Sequence, residues 1–355
     1  MAYYFLTASK DASVYLQQPD QNAGLDEVLE VSKVYYGGVK DVSRALLKFD
    51  LNGVSGSITN GDVKLDEATL ILRETESEEL PLEFTIEAYP ISQSWEMGNG
   101  TRFDNVSTAG VTWNNREGDT TQRWLQTAEF SEVSTGSYAG LGGTFYDSVY
   151  GTQHFQYMTS DISMDIKDIV EDWISGSIPN DGLVLKLPFE NEVDSTDYGI
   201  LKLFSKETHT IHQPKLRIGW DDTSFTTGSL TELNSEEIKV GIRNFKKEYK
   251  VNTTPKLRVI GRDLYPLKSF TSTAQYGISK FLPTLSYYQI KDYHSDDVIV
   301  PFSNFTKLSC DTDGNYFKLN LSNWEVDRIY KIEFKVVIDG TPQFFDEDYT
   351  FSIIG

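Results

Sequence analysis

The chain has 355 residues with 32 basic and 53 acidic side chains, a net charge of −21 at neutral pH, and a single cysteine, Cys310. That charge argues against nucleic-acid binding, which rests on phosphate neutralisation by Lys and Arg, and it disfavours anionic membranes. The lone cysteine excludes an intrachain disulfide, so the fold must stand on packing, as expected of a protein made in a reducing cytoplasm.

The length predicts two or three domains with ample core, and 20 Tyr with 20 Phe favour strands over helices. The N-terminus has no basic stretch leading into an apolar run, and no segment approaches the ~18 apolar residues of a membrane helix. A soluble, unanchored protein is expected. Sequons at Asn105, Asn252, Asn304 and Asn320 then read as chance products of Asn- and Thr-rich loops.

In chain order, the first strands are Ser13–Gln17, Val28–Ser32, Ala45–Leu51, Glu67–Arg73 and Glu83–Tyr89. Each is short, alternates apolar with polar or is a buried run, and is bounded by turn residues. Two Gly-, Asn-, Ser- and Thr-rich stretches, Met97–Gly110 and Arg116–Tyr157, read as long insertions. They carry Trp124, Tyr138, Phe145, Tyr146, Tyr150 and Phe155, whose rings must be buried either on the domain itself or on a neighbour. Asp161–Ile174 sets Ile162, Ile166, Ile169, Val170, Trp173 and Ile174 at helical spacing, with Ser160 or Asp161 as cap and Gly176 as terminator. One amphipathic helix packed on the core is predicted there. Leu183–Leu187, Ile200–Phe204 and Lys215–Trp220 complete a set of short strands typical of a sandwich or jelly roll.

A polar Ser/Thr/Gly stretch follows. Residues 1–222 carry 16 basic and 36 acidic side chains, net −20, whereas 223–355 carry 16 and 17, net −1. Such a step marks two independently built units, 1–222 and 236–355, joined by a linker at 223–235. The second unit is read as strands Ile238–Arg243, Lys256–Ile260, Ser286–Ile290, Asp297–Val300, Tyr316–Leu319, Tyr330–Val337 and Tyr349–Ile353, with hairpin turns at Asp313-Gly314 and Asp339-Gly340. Leu321–Tyr330 has the form of the corner before a late strand of an immunoglobulin-like sandwich, where a Tyr hydroxyl bonds back to the chain. The fold class expected is therefore all-β, a jelly-roll sandwich with one helix followed by an immunoglobulin-like sandwich.

Several pieces in order carry a family resemblance: Asp11–Tyr15, Asn22-Ala-Gly24, Ser43–Leu51, Asp66–Leu72, Ser94-Trp95, Val111-Thr-Trp-Asn-Asn115, Asp161–Trp173 with Gly176, Asn180–Leu185 and Pro214–Ile218. Over about 1–220 the chain resembles the DNRLRE-type β-sandwich domain, also classed among carbohydrate-binding modules. Arg116-Glu117 stands where that family usually has Pro, and the insertions are long. The resemblance implies a jelly roll that binds or displays without catalysis, with Trp95 and Trp113 in its framework. The second unit resembles, more loosely, C-terminal domains of virion proteins of large tailed phages. Its pieces are Val259–Asp263 with Tyr265-Pro266, Phe270–Thr273, Ser286–Asp292, Ser309–Phe317 and Phe344–Tyr349. That resemblance implies a virion component made in the host cytoplasm.

Catalytic motifs are absent from the sequence: no HExxH, P-loop or GxSxG, and no Cys cluster. His209 and His212 precede a strand, where positions i and i+3 point to opposite faces. Asp311-Thr-Asp-Gly-Asn315 has half the pattern of a calcium loop without its distal Glu and reads as a hairpin turn. Asp194, Asp197 and Asp221-Asp222 are the other carboxylates on which a calcium ion would draw. No further cofactor is expected. Trp173 falls on the helix's apolar face, which leaves Trp124 as the ring able to stack on a sugar. The function expected is structural, through interfaces with other virion proteins or further copies, at the neck, collar or tail-fibre attachment. Carbohydrate recognition is the rival. The acidic unit is expected to face outward or meet a basic partner, and the near-neutral unit to anchor.

Overall fold

The computed structural model describes residues 3–60, 64–104, 106–118, 122–125, 141–156, 160–265 and 280–355. The chain divides into two compact units, Leu6–Ile218 and Met1–Phe5 together with Gly219–Gly355. Both are all-β and sandwich-like. Among the described residues no helix is long and apolar enough to cross a membrane.

The larger unit contains β1 (Tyr3–Tyr15, shared across the division), β2 (Val28–Tyr36), β3 (Val39–Phe49), α1 (Asn52–Thr59), β4 (Glu67–Leu72), β5 (Glu83–Pro90), β6 (Gly151–Gln156), β7 (Ile162–Asp165), α2 (Lys167–Ser175), β8 (Leu183–Lys186), α3 (Phe189–Val193), β9 (Gly199–Phe204) and β10 (Lys215–Gly219). The strand order is β6-β5-β8-β3-β1-β10-β4-β7, with β2 joining β3 to β9. β3 is the hub, bonded to β8, β1 and β2. Its Ala45, Leu46, Leu47 and Phe49 are all fully buried, which is why it reads as a continuous apolar run and not an alternation.

The helix predicted over Asp161–Ile174 is shorter. Ile162–Asp165 is strand β7, paired antiparallel with β4 from Thr69↔Asp165 to Leu72↔Ile162. Ile162, Met164 and Ile166 also fit period two, and the open edge of β4 takes them. Asp161 does not cap the helix. Its carboxylate accepts from the Arg73 guanidinium (2.6 Å) and the Glu74 backbone N–H (2.7 Å) instead. From Lys167 onward the expected face is buried through Ile169, Val170 and Trp173, and Gly176 ends the helix at φ 77°.

The second unit contains β11 (Thr231–Glu232), β12 (Ile238–Arg243), β13 (Glu248–Lys250), β14 (Lys256–Asp263), β15 (Lys280–Phe281), β16 (Ser286–Asp292), β17 (Val298–Val300), β18 (Ser309–Asp311), β19 (Gly314–Lys318), β20 (Ile329–Ile338) and β21 (Thr341–Ile354). One sheet runs β11-β15-β14-β19-β18 with β12 on β14, and the other runs β13-β21-β20-β16-β17. Strict alternation along β20 sends Tyr330, Ile332, Phe334, Val336 and Ile338 into the core.

Tyr3 and Phe5 join that core. The Phe5 ring meets Trp324 edge-on at 5.9 Å, and the Phe5 carbonyl accepts from Asn323 Nδ2 at 2.7 Å. Asp339-Gly340, both at positive φ, close a two-residue hairpin between Ile338 and Thr341. In the other hairpin Asp311 pairs with Gly314, so the turn residues are Thr312-Asp313, one position earlier than expected.

Candidate interaction surface

Strands β1, β3, β5 and β8 leave an apolar face that the long connections cover. Val14, Val42, Leu46, Tyr89 and Val184 from the sheet pack with Trp95, Val111, Trp113, Trp124 and Phe145 from the connections, and Met97 and Tyr146 lie partly buried against them. The described parts of the insertion, at Trp124 and at Leu141–Tyr146, therefore fold back on their own sandwich, because a sheet face this apolar is unfavourable in water. Trp124 is 2% exposed and its Nε1 donates to the Thr112 carbonyl at 3.1 Å. It is a core residue, not an open stacking platform. Phe145 is buried beside Tyr89 at 4.6 Å. Phe155 is buried in β6, stacked on Phe84 at 4.5 Å and 8°. Tyr150 is 52% exposed and stacks on Tyr89. Tyr138 and Phe270–Thr273 lie outside the described residues.

Charges are buried beneath this layer. Arg44 of β3 donates to both Glu192 oxygens (2.9 and 2.6 Å) and from Nη1 to the Leu141 carbonyl (3.2 Å). Lys186 of β8 is fully buried, donates to the Leu187 carbonyl at 2.6 Å and lies 3.9 Å from Glu192. Burial pushes the Glu192 carboxyl up, but Arg44 and then Lys186 outweigh it and hold the group below the usual carboxylate range. These ions fasten α3 and the 141–142 backbone to the sheet.

The second connection is fastened by one amide. Asn22 is fully buried. Its Nδ2 donates to the Met97 carbonyl (2.8 Å) and the Val111 carbonyl (2.7 Å). Its Oδ1 accepts from the N–H groups of Gly24 (3.3 Å) and Gly100 (2.8 Å). At Gly98, φ is +83° and a Cβ would fall 2.1 Å from the Ala109 carbonyl oxygen, so no other residue fits. Arg102 then bonds Glu30, and its guanidinium lies 4.0 Å over the Tyr15 ring. Burial raises the carboxyls of Glu30, Asp26 and Asp41 around it, against the lowering pull of Arg102.

From this fixed base the loop displays Phe103, 86% exposed, and Val106, 74% exposed, beside exposed Leu25. Asp104 lies between Phe103 and Val106 in sequence, oriented by the Thr101 hydroxyl (2.7 Å). Asp26 accepts the Arg102 N–H (3.2 Å) and the Leu25 N–H donates to the Gly100 carbonyl (2.9 Å), which holds the Leu25–Glu27 segment at the base of the loop. The Arg102 guanidinium lies 5.1 Å from the Phe103 ring. Composition marks this loop in the sequence but does not single out these residues. The missed signal is the density of Asn22, Gly24, Gly98, Gly100 and Gly110 around an apolar pair in a polar loop.

The carboxylates considered for calcium are engaged elsewhere. Asp194 takes Lys33, the Thr196 N–H (2.9 Å) and the Tyr198 hydroxyl (3.0 Å). Asp197 accepts from the Gly199 N–H at 3.0 Å, and Asp221 from the Thr223 N–H at 2.9 Å. Asp311 is bonded by Arg258 and Lys256, which hold its carboxyl well below the usual range. Among the described residues no group of three or more His, Cys, Asp or Glu is disposed to hold a metal. His212 stacks on Phe204, and His209 is exposed beside Glu27.

A pocket of about 590 Å³ opens at the end of β3, lined by Lys10, Lys48, Asn52, Ser55, Trp173 and Asn180, among others. Trp173 Nε1 and Asn180 Oδ1 are buried without a hydrogen-bond partner among the described residues.

No family model matches the chain, and no curated protein matches it.

Proposed function

We propose that the chain is a non-catalytic assembly protein, a structural component of a tailed-phage particle that works through protein–protein interfaces. The observation that carries the assembly reading is the apolar pair Phe103 and Val106, exposed on a loop whose backbone Asn22 bonds at Met97, Gly100, Ser107 and Val111. Exposed apolar groups on a preordered backbone lose little conformational entropy on docking. The virion assignment rests on the resemblance of the two parts to a DNRLRE-type domain and to C-terminal domains of phage virion proteins, and neck, collar and tail-fibre attachment all suit it. In this reading the larger unit is a jelly roll and the second is immunoglobulin-like. The backbone hydrogen bond that Tyr330 receives from Glu325 supports the latter.

The test is size-exclusion chromatography with light scattering, mixing the protein with neck and tail proteins of a candidate particle. Wild type should enter a larger complex and the Phe103→Ser/Val106→Ser variant should not. Equal behaviour of the two would refute the assignment. A second reading, glycan recognition, is favoured by the pocket that Trp173 lines together with Lys10, Asn52, Ser55 and Asn180, an indole among side chains that bond hydroxyls. Retention on a glycan array that Asn180→Leu abolishes, without complex formation, would replace the first reading.

A further inference from the structure

A second surface is left unexplained by that reading. Arg243-Asn-Phe-Lys-Lys-Glu-Tyr-Lys250 carries four cations in eight residues of a chain whose net charge is −21. β13 ends its sheet, bonded on one side to β21. Beside it runs an open groove of about 660 Å³, floored by Tyr249, Pro255, Leu257 and Ile354 and rimmed by Lys246, Lys250 and Lys256, with Glu248 as the sole carboxylate in its lining. The size falls within the roughly 300–1,000 Å³ of ligand clefts. Lys256 is paired with Asp311. Lys246, Lys247 and Lys250 are exposed and have no ion pair among the described residues. Lysines on an edge strand also guard against strand addition, but that role needs charge alone. Here the charge surrounds an apolar floor.

Such a groove calls for an acidic surface with an apolar projection. The Phe103 loop has that composition: Phe103 and Val106 are exposed with Asp104 between them in sequence, and exposed Glu27 stands on the Leu25–Glu27 segment bonded to Gly100. We propose that the groove receives the Phe103 loop of a second copy of this chain. The inference rests on the assembly reading above and names one partner for it. Because the two surfaces differ, the contact is heterologous, and repeated copies build a ring where the rotation closes or a filament where it does not. Charge complementarity sets register and association rate, while the apolar projection supplies the buried area.

The full-length chain would be followed by sedimentation velocity across a concentration series at low and high salt. Wild type should associate at low salt and dissociate as salt screens the pairs. Lys246→Glu/Lys250→Glu and Glu27→Lys/Asp104→Lys should each stay monomeric with unchanged circular dichroism. Their equimolar mixture should associate again, since each variant's loop then faces a groove of opposite charge. A wild type that stays monomeric at every concentration overturns the inference, as does a groove variant that associates normally. Two monomeric variants whose mixture also stays monomeric overturn the loop–groove pairing. If Phe103→Ser/Val106→Ser still loses its binding to particle proteins in any of these cases, the assembly reading stands without this one. Binding of an oligothymidylate to wild type but not to the groove variant would assign the groove to nucleic acid and overturn the inference equally.

Discussion

Replacing Asp11 by Asn should stabilise the protein at neutral and alkaline pH. Asp11 sits in β1 opposite Leu47, is 1% exposed, and accepts the Lys206 backbone N–H at 2.6 Å. Burial drives its carboxyl up from 3.8 to about 7, only partly offset by that hydrogen bond and by the Lys206 charge. The folded state therefore holds a proton that the unfolded chain releases near pH 4. Below both values the carboxyl is neutral in both states and adds nothing to the pH dependence. As pH rises from about 4 to about 7 the stability falls, because the folded state binds more protons than the unfolded one. The shift of about three units corresponds to an upper bound of about 4 kcal/mol at about 1.4 kcal/mol per unit. Asn keeps the shape and an acceptor oxygen for Lys206 and never ionises. Urea denaturation of both proteins in a pH series isolates the group, since the other carboxylates cancel in the difference. The gap should open in favour of Asp11→Asn from about pH 4 to about pH 8 and then level off. A difference that stays flat across that window, or a variant less stable at alkaline pH, would sink the argument.

Arg44→Ala should cost about 3–5 kcal/mol in urea unfolding, because it leaves Glu192 buried without its bidentate partner. Asn22→Ala should cost about 2–4 kcal/mol at roughly 1 kcal/mol per lost hydrogen bond, and hydrogen exchange should quicken across Met97–Gly110. Trp124→Ala should lose about 3–5 kcal/mol as a core cavity; a neutral effect would mean the ring is not packed as described. Phe103→Ser should leave stability within about 0.5 kcal/mol, as an exposed site does, so any loss of binding is assigned to the surface and not to misfolding.

The strands were legible where period and burial agree. β20 alternates without a break, and β3 carries the apolar run Ala45-Leu46-Leu47. The start of the 161–174 segment was not, because Ile162 and Ile166 fit the helical period and, with Met164 between them, fit period two as well, and the choice belongs to the unpaired edge of β4. The short edges β11, β13, β15 and β18 carry too few residues for any pattern, and β6 was hidden in a loop-like composition. Nothing local indicates that Tyr3 and Phe5 serve the second unit, since their partners lie some three hundred residues away. The same holds for the buried ions. Arg44 and Lys186 look like solvated charges until α3 brings Glu192 to them.

The insertions were legible as a burial demand but not as its resolution. Their composition announces rings that need cover, and two outcomes satisfy that demand equally in sequence. The structure separates them side chain by side chain. Trp124, Phe145 and Tyr146 are drawn onto the apolar face of β1, β3, β5 and β8, which would otherwise meet water. Phe103 and Val106 are not drawn in, although the loop bearing them is held by a fully buried amide and by glycines that admit no side chain. A floppy loop would bury such residues by collapsing onto its own domain. One prevented from collapsing keeps them outward at a standing cost, and that cost is offset when a partner covers them.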